Sequence, residues 1–139
     1  MKSFETHSED ETIELGRKIA RELPKRAVVL LIGNLGAGKT TLAKGIIDGL
    51  GAGKPEEVAS PTFTLIHEYA GVYHIDLYRL DTAAQVATLG LDEIFGHILD
   101  SDGVVLIEWG EKFRELMPAD RIEITLSAGG EENRKITML

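Results

Sequence analysis

Between Ala27 and Leu50 an apolar run, a glycine-rich turn and a helical pattern follow one another without interruption, and this succession constrains the fold more than any other stretch. Ala27-Val28-Val29-Leu30-Leu31-Ile32 has the length and β-branched content of a buried strand. It enters Gly33-Asn34-Leu35-Gly36-Ala37-Gly38-Lys39-Thr40, which satisfies the pattern G-x-x-x-x-G-K-S/T. From Thr41 to Leu50 the apolar residues Leu42, Ala43, Ile46, Ile47 and Leu50 recur at helical spacing and form one stripe.

The chemistry follows from the residue types. Glycines permit backbone conformations that a Cβ would block, so consecutive N–H groups can turn inward around phosphate oxygens. The helix starting there adds unpaired amides and the positive end of its dipole. Lys39 brings a mobile positive charge to the terminal phosphates, and the Thr40 hydroxyl is placed to bind Mg²⁺. The residues expected around a nucleotide are therefore Gly33, Leu35, Gly36, Ala37, Gly38, Lys39, Thr40 and Thr41.

With 139 residues, one domain spanning 1–139 is expected, large enough for a core but too small for a separate lid or substrate domain. A chain that is 43% hydrophobic and 27% charged does not read as disordered. The absence of cysteine excludes a disulfide framework, a thiol nucleophile and a thiolate metal site. The N-terminal residues lack the apolar run of a signal peptide, and no run approaches membrane-spanning length, so a bacterial-type cytoplasmic location is expected. A net charge of −8 without a Lys/Arg-rich run makes a poor autonomous nucleic-acid binder; if the protein serves RNA, something else should hold it.

Along the chain, Ser3 to Thr6 can form a short edge strand. Ser8 and Glu11 have capping-box spacing before a first helix that Pro24 ends. The runs 61–69 and 72–78 flank Ala70-Gly71 and predict a β-hairpin. Asp81-Thr82 can cap a short helix, and 91–99 predicts another. Val104 to Ile107 reads as a second buried strand, and 121–126 alternates and can pair with 134–139. Strand–helix units together with hairpins predict a three-layer α/β sandwich on a mixed sheet, of the P-loop NTPase kind.

Hydrolysis needs more than a phosphate loop: an acid near the metal and a group that positions water. Glu108 ends the run Val104–Ile107, and a carboxylate at the tip of a buried parallel strand sits where such sheets bind ligands. It is the Walker B candidate. Asp76 is the second acid. Strand periodicity puts His74, Asp76 and Tyr78 on one face and Tyr73, Ile75 and Leu77 on the other. The same pattern suits an edge strand whose polar face Asp76 and Arg79 merely solvate, and periodicity does not separate the two. Thr62 and Thr64 fall on one strand face after a long loop, where a phosphate-sensing switch can lie, although β-branched residues also simply favour strands. The four histidines make no metal pattern and read as structural.

Four motifs in register resemble one family along nearly the full chain: Leu35-Gly-Ala-Gly-Lys-Thr-Thr41, Ser60-Pro-Thr-Phe-Thr-Leu65, His74-Ile-Asp-Leu-Tyr-Arg-Leu80 and Ile107-Glu-Trp-Gly110. Together they resemble the TsaE (YjeE) family of bacterial ATPases needed to make threonylcarbamoyladenosine beside the tRNA anticodon. The resemblance implies ATP and Mg²⁺ as ligands, TsaB- and TsaD-like partners that hold the tRNA, and partner-dependent hydrolysis. By motif match it implies that Lys39 and Thr40 hold phosphates and Mg²⁺, that Glu108 is the Mg²⁺ or Walker B carboxylate and Asp76 an essential acid near that metal. Residues 60–65 are then switch-like, and Ser8 and Arg134 resemble family positions near the nucleotide.

Rival classes remain. A small-metabolite kinase would normally add an arginine-bearing lid, for which the length leaves little room. A regulatory GTPase would need an Asn-Lys-x-Asp motif, and neither Asn34 nor Asn133 precedes a lysine. A nucleotide-gated binding module with little turnover would carry the same motifs.

Overall fold

The computed structural model describes residues 2–139, with Leu99 described in its backbone alone. Its strands are β1 (Lys2–Thr6), β2 (Arg26–Ile32), β3 (Ile66–Tyr69), β4 (Val72–Asp76), β5 (Gly103–Glu108), β6 (Ile122–Ala128) and β7 (Arg134–Met138). Its α-helices are α1 (Glu9–Glu22), α2 (Lys39–Gly49), α3 (Ala83–Ala87) and α4 (Leu91–Asp100), and tight 3₁₀ turns cover Pro55–Glu57 and Gly110–Leu116.

The strands form one sheet in the order β1-β7-β6-β2-β5-β4-β3. β2 pairs in parallel with β5 and β6, and β4 pairs in parallel with β5. The pairs β3–β4, β6–β7 and β1–β7 are antiparallel. The sheet is therefore mixed, as the coexistence of crossover units and hairpins predicts. Because side chains alternate across a strand, Ala27, Val29 and Leu31 face α1 and α2, while Val28 and Leu30 face α3, α4 and the 110–116 turn. These two cores make the three layers of an α/β sandwich.

Local chemistry sets the element ends. Ser8 Oγ accepts from the Glu11 amide at 3.1 Å, and the Glu11 carboxylate accepts from the His7 amide at 3.0 Å, a capping pair displaced by one residue. Acidic residues 9–11 complement the helix dipole there. α1 and α2 touch backbone to backbone. A Cβ on Gly45 would lie 2.0 Å from the Ile13 carbonyl oxygen and one on Gly16 would lie 2.6 Å from that of Leu42. This contact clamps the helix that carries Lys39 against the one that carries the N-terminal rim of the site.

The predicted hairpin forms, but its first strand starts only at Ile66. Residues 61–65 make a turn, closed by Leu65 N–H donating to the Pro61 carbonyl at 2.7 Å, with Leu65 at φ 70°. Thr62 and Thr64 therefore do not share a strand face: β-branching favours extension, and the turn's hydrogen bond overrides it. β4 is not an edge strand either, since β3 covers it, and it stops at Asp76, so Tyr78 lies beyond the pleat. α2 begins at Lys39, two residues before the expected start, because Gly38 can itself serve as its N-cap. Among the described residues no helix is long and apolar enough to cross a membrane.

Candidate active site

The parallel strands β2, β4 and β5 all end on the same side of the sheet, and the glycine-rich loop leaves β2 there. Asp76 of β4 pairs in register with Glu108 of β5, which pairs in turn with Leu31 of β2. The two acids and the loop are thus brought together by strand register, at the carboxyl ends where open α/β sheets bind ligands. They line a cavity of about 510 Å³.

Gly36 and Gly38 take φ values of 78° and 99°, which a side chain would make costly. That backbone turns into α2, whose N-terminus has no side-chain cap and no acidic residue in its first turn. The uncapped amides and the positive dipole end are left for an anion. Leu35, Gly36, Gly38, Thr40 and Thr41 border the cavity with Lys39. Two predicted loop residues serve it from behind: Ala37 is packed into the core, and a Cβ on Gly33 would lie 2.6 Å from the Leu126 carbonyl oxygen.

Lys39 is buried, its Nζ donating to the Gly33 carbonyl at 2.7 Å and lying 3.5 Å from the centroid of the Trp109 ring. Burial pushes its pKa below that of an ordinary lysine, opposed by the charges of Glu108, Glu111 and Asp76. Trp109 reaches this position through a left-handed backbone, φ 66°, uncommon for a bulky residue. Sequence reasoning saw Trp109 only as part of a motif; its pairing with Lys39 depends on that backbone turn.

Glu108, 3% exposed, is held by two donors. Thr40 Oγ1 lies 2.9 Å from its Oε2 and 3.2 Å from its Oε1, and His74 Nε2 lies 2.6 Å from Oε2. His74, read from sequence as structural, is thus part of the site. Asp76 is equally fixed: Oδ1 accepts from the Tyr78 amide at 2.8 Å and Oδ2 from the Thr62 hydroxyl at 3.2 Å, while Ser60 Oγ lies 2.7 Å from Thr62 Oγ1. Thr62 therefore connects the 60–65 segment to the acid, and Thr64 is exposed away from the cavity wall.

The opposite wall comes from the two ends of the chain. Arg134 Nη1 donates to the carbonyls of Gly130, Glu131 and Asn133, and its Nη2 donates to that of Gly36 at 3.2 Å. This ties the β6–β7 turn to the glycine-rich loop. Ser8 is engaged as the α1 cap, and Glu9 and Thr12 from the same helix reach the cavity. Exposed Glu131 and Glu132 complete this rim.

Chemically the arrangement suits a polyphosphate with a hard divalent cation. Among the described residues no three His, Asp or Glu side chains converge to hold a metal by themselves. A hydroxyl and one or two carboxylates beside an anion cradle is instead the donor set of Mg²⁺, which keeps water and phosphate oxygens as its other ligands. Thr40 and Glu108, already within hydrogen-bond distance, fit that role.

The family model described as threonylcarbamoyl adenosine biosynthesis protein TsaE matches residues 6–136. A Bacillus subtilis protein named tRNA threonylcarbamoyladenosine biosynthesis protein TsaE is 38% identical over 138 residues, covering 96% of this chain and 82% of that one. A Treponema pallidum protein of the same name is 38% identical over 137 residues, covering 96% of both chains. The crystal structure of Bacillus subtilis YdiB superposes with a TM-score of 0.76 at 34% identity, covering 99% of this chain and 83% of that one.

Proposed function

The chain belongs to the TsaE family of threonylcarbamoyl adenosine biosynthesis proteins, and from that premise we propose that it binds ATP with Mg²⁺ and hydrolyses it. The hydrolysis supports threonylcarbamoylation of tRNA adenosine next to the anticodon by a TsaB–TsaD complex. One observation carries the ATPase reading. The hydroxyl that follows Lys39 meets the Glu108 carboxylate 2.9 Å away at the mouth of an uncapped helix.

In this reading Lys39 leaves the Gly33 carbonyl and the Trp109 ring to neutralise the terminal phosphates. Amides of the glycine-rich loop and the start of α2 hold the phosphate oxygens in place. Bound Mg²⁺ supplies positive charge to the phosphate oxygens on which negative charge develops. Thr40 and Glu108 hold that ion. Asp76, its carboxylate fixed by the Tyr78 amide and the Thr62 hydroxyl, orients the attacking water. Because Thr62 belongs to the 60–65 turn, that segment senses the state of the site. Arg134 closes the nucleotide in from the chain ends. A net charge of −8 leaves the tRNA to the partners.

Calorimetry with ATP and MgCl₂, and phosphate release with and without TsaB and TsaD, test this. Heat on titration and release stimulated by the pair are expected. No heat for any adenine nucleotide, alone or beside the partners, overturns it. Transfer of phosphate to a small molecule would instead select the kinase reading.

A further inference from the structure

His74 belongs to none of the roles assigned above, yet it is the most enclosed polar side chain of the site. It is 0% exposed in the middle of β4, and its ring points along the sheet to Glu108 on the neighbouring β5. We infer that His74 is a positioning residue. Its Nε2–H fixes the rotation of the Glu108 carboxylate so that Oε1 is the oxygen presented to a divalent cation beside Thr40. The inference rests on the Mg²⁺ reading of the preceding section and deepens it.

The geometry supplies the direction of the hydrogen bond. Of the two ring nitrogens only Nε2 faces an acceptor, the Glu108 carboxylate at 2.6 Å. The other ring nitrogen, Nδ1, is buried and has no hydrogen-bond partner among the described residues. An N–H there would be a buried donor without an acceptor, which is costlier than a bare lone pair; the ring is therefore the Nε2–H tautomer. Such a ring has a single use for its proton, and the rigid β4–β5 pairing leaves it a single target. Oε2 of Glu108 receives His74 at 2.6 Å and Thr40 at 2.9 Å, whereas Oε1 has only the longer Thr40 contact of 3.2 Å. One oxygen is thus saturated and the other left for a metal. Partners that orient a ligating carboxylate typically govern metal affinity or activity by about 10- to 100-fold.

The discriminating set is His74→Gln, His74→Asn and His74→Leu, each checked for fold by circular dichroism and melting. The glutamine amide nitrogen can stand close to where Nε2 stands, whereas that of asparagine is one methylene short. Mn²⁺ binding to the ATP complex, read by electron paramagnetic resonance, gives metal affinity without turnover, and metal-free ATP affinity is measured alongside. His74→Gln should stay within about threefold of wild type, and His74→Asn and His74→Leu should lose about 10- to 100-fold in Mn²⁺ affinity with metal-free ATP binding unchanged. Equal Mn²⁺ affinity in all variants overturns the inference. So does an equal loss in the glutamine and asparagine proteins, or a loss shared by metal-free ATP binding. Failure of all three variants to fold makes His74 structural and likewise overturns it. If the wild-type protein itself binds neither ATP nor Mn²⁺–ATP, the ATPase reading has failed instead, and the two failures are distinguishable.

Discussion

On the strand-tip wall of the cavity Lys39, Asp76 and Glu108 are each at most 5% exposed, and every one is tied to a neighbour fixed by the sheet or its loops. On the hairpin wall the charged groups Glu131 and Glu132, with Glu9 of α1 beside them, are exposed, and the part-buried Arg134 is held by carbonyls of its own turn and of Gly36. The first wall is organised before any ligand arrives, because buried polar groups must be paired and their partners leave them one orientation. The second is hydrated and screened, so its charges act weakly and over a short range. Changes on the strand-tip wall should therefore be severe and specific, and changes on the hairpin side graded.

The largest effect is expected for Lys39→Ala, which removes the buried cation. ATP affinity should fall by roughly 100-fold or more in calorimetry, with the melting temperature kept or raised, since the protein no longer has to bury that charge. Retained affinity would dissolve the contrast between the walls. Next, Glu108→Gln should leave ATP affinity within about threefold and lower Mg²⁺-dependent phosphate release by roughly 100- to 1000-fold. Unchanged release would move the metal carboxylate to Asp76. On the hairpin wall, Arg134→Ala should weaken ATP by about 3- to 10-fold, one charge-assisted contact at a partly solvated position. A loss as large as that of Lys39→Ala would show that this wall is as organised as the other.

The smallest effect belongs to Glu123 on β6, whose carboxyl is lowered below its usual range chiefly by its hydrogen bond to Arg121, with Arg114 adding to it. A depressed carboxyl stabilises the folded state above the ordinary carboxylate range and loses that contribution as pH falls through its lowered value. Glu123→Gln should cost under about 1 kcal/mol at neutral pH, and the gap in melting temperature should close in acid. A gap that persisted in acid would assign the cost to packing.

The strand-tip wall was also the more legible one in the sequence, though only in part. The stretch 27–50 and the run ending at Glu108 are local patterns, and each folds as its spacing predicts because loop, strand and helix propensities agree there. The alternation of 121–126 against 134–139 likewise gives the antiparallel pair observed. What spacing cannot convey is register between distant strands. That His74 reaches Glu108 depends on β4 lying beside β5, and that Trp109 covers Lys39 depends on a left-handed residue, so both contacts were invisible. The 61–65 turn departs from its strand propensity for a related reason. Thr62 and Thr64 carry strand propensity, and a single hydrogen bond from Leu65 to Pro61 decides otherwise.

The pairing of β1 with β7 has a consequence for how the molecule is born. Gly36 and Arg134 lie 98 residues apart in the chain, so the glycine-rich loop is made well before its guanidinium, and among the described residues β1 likewise gains its sheet neighbour only when β7 emerges. A half-made chain therefore carries an open-sided cradle and an unpaired first strand. Closure of both is a single late event that waits on the same five residues, Arg134–Met138.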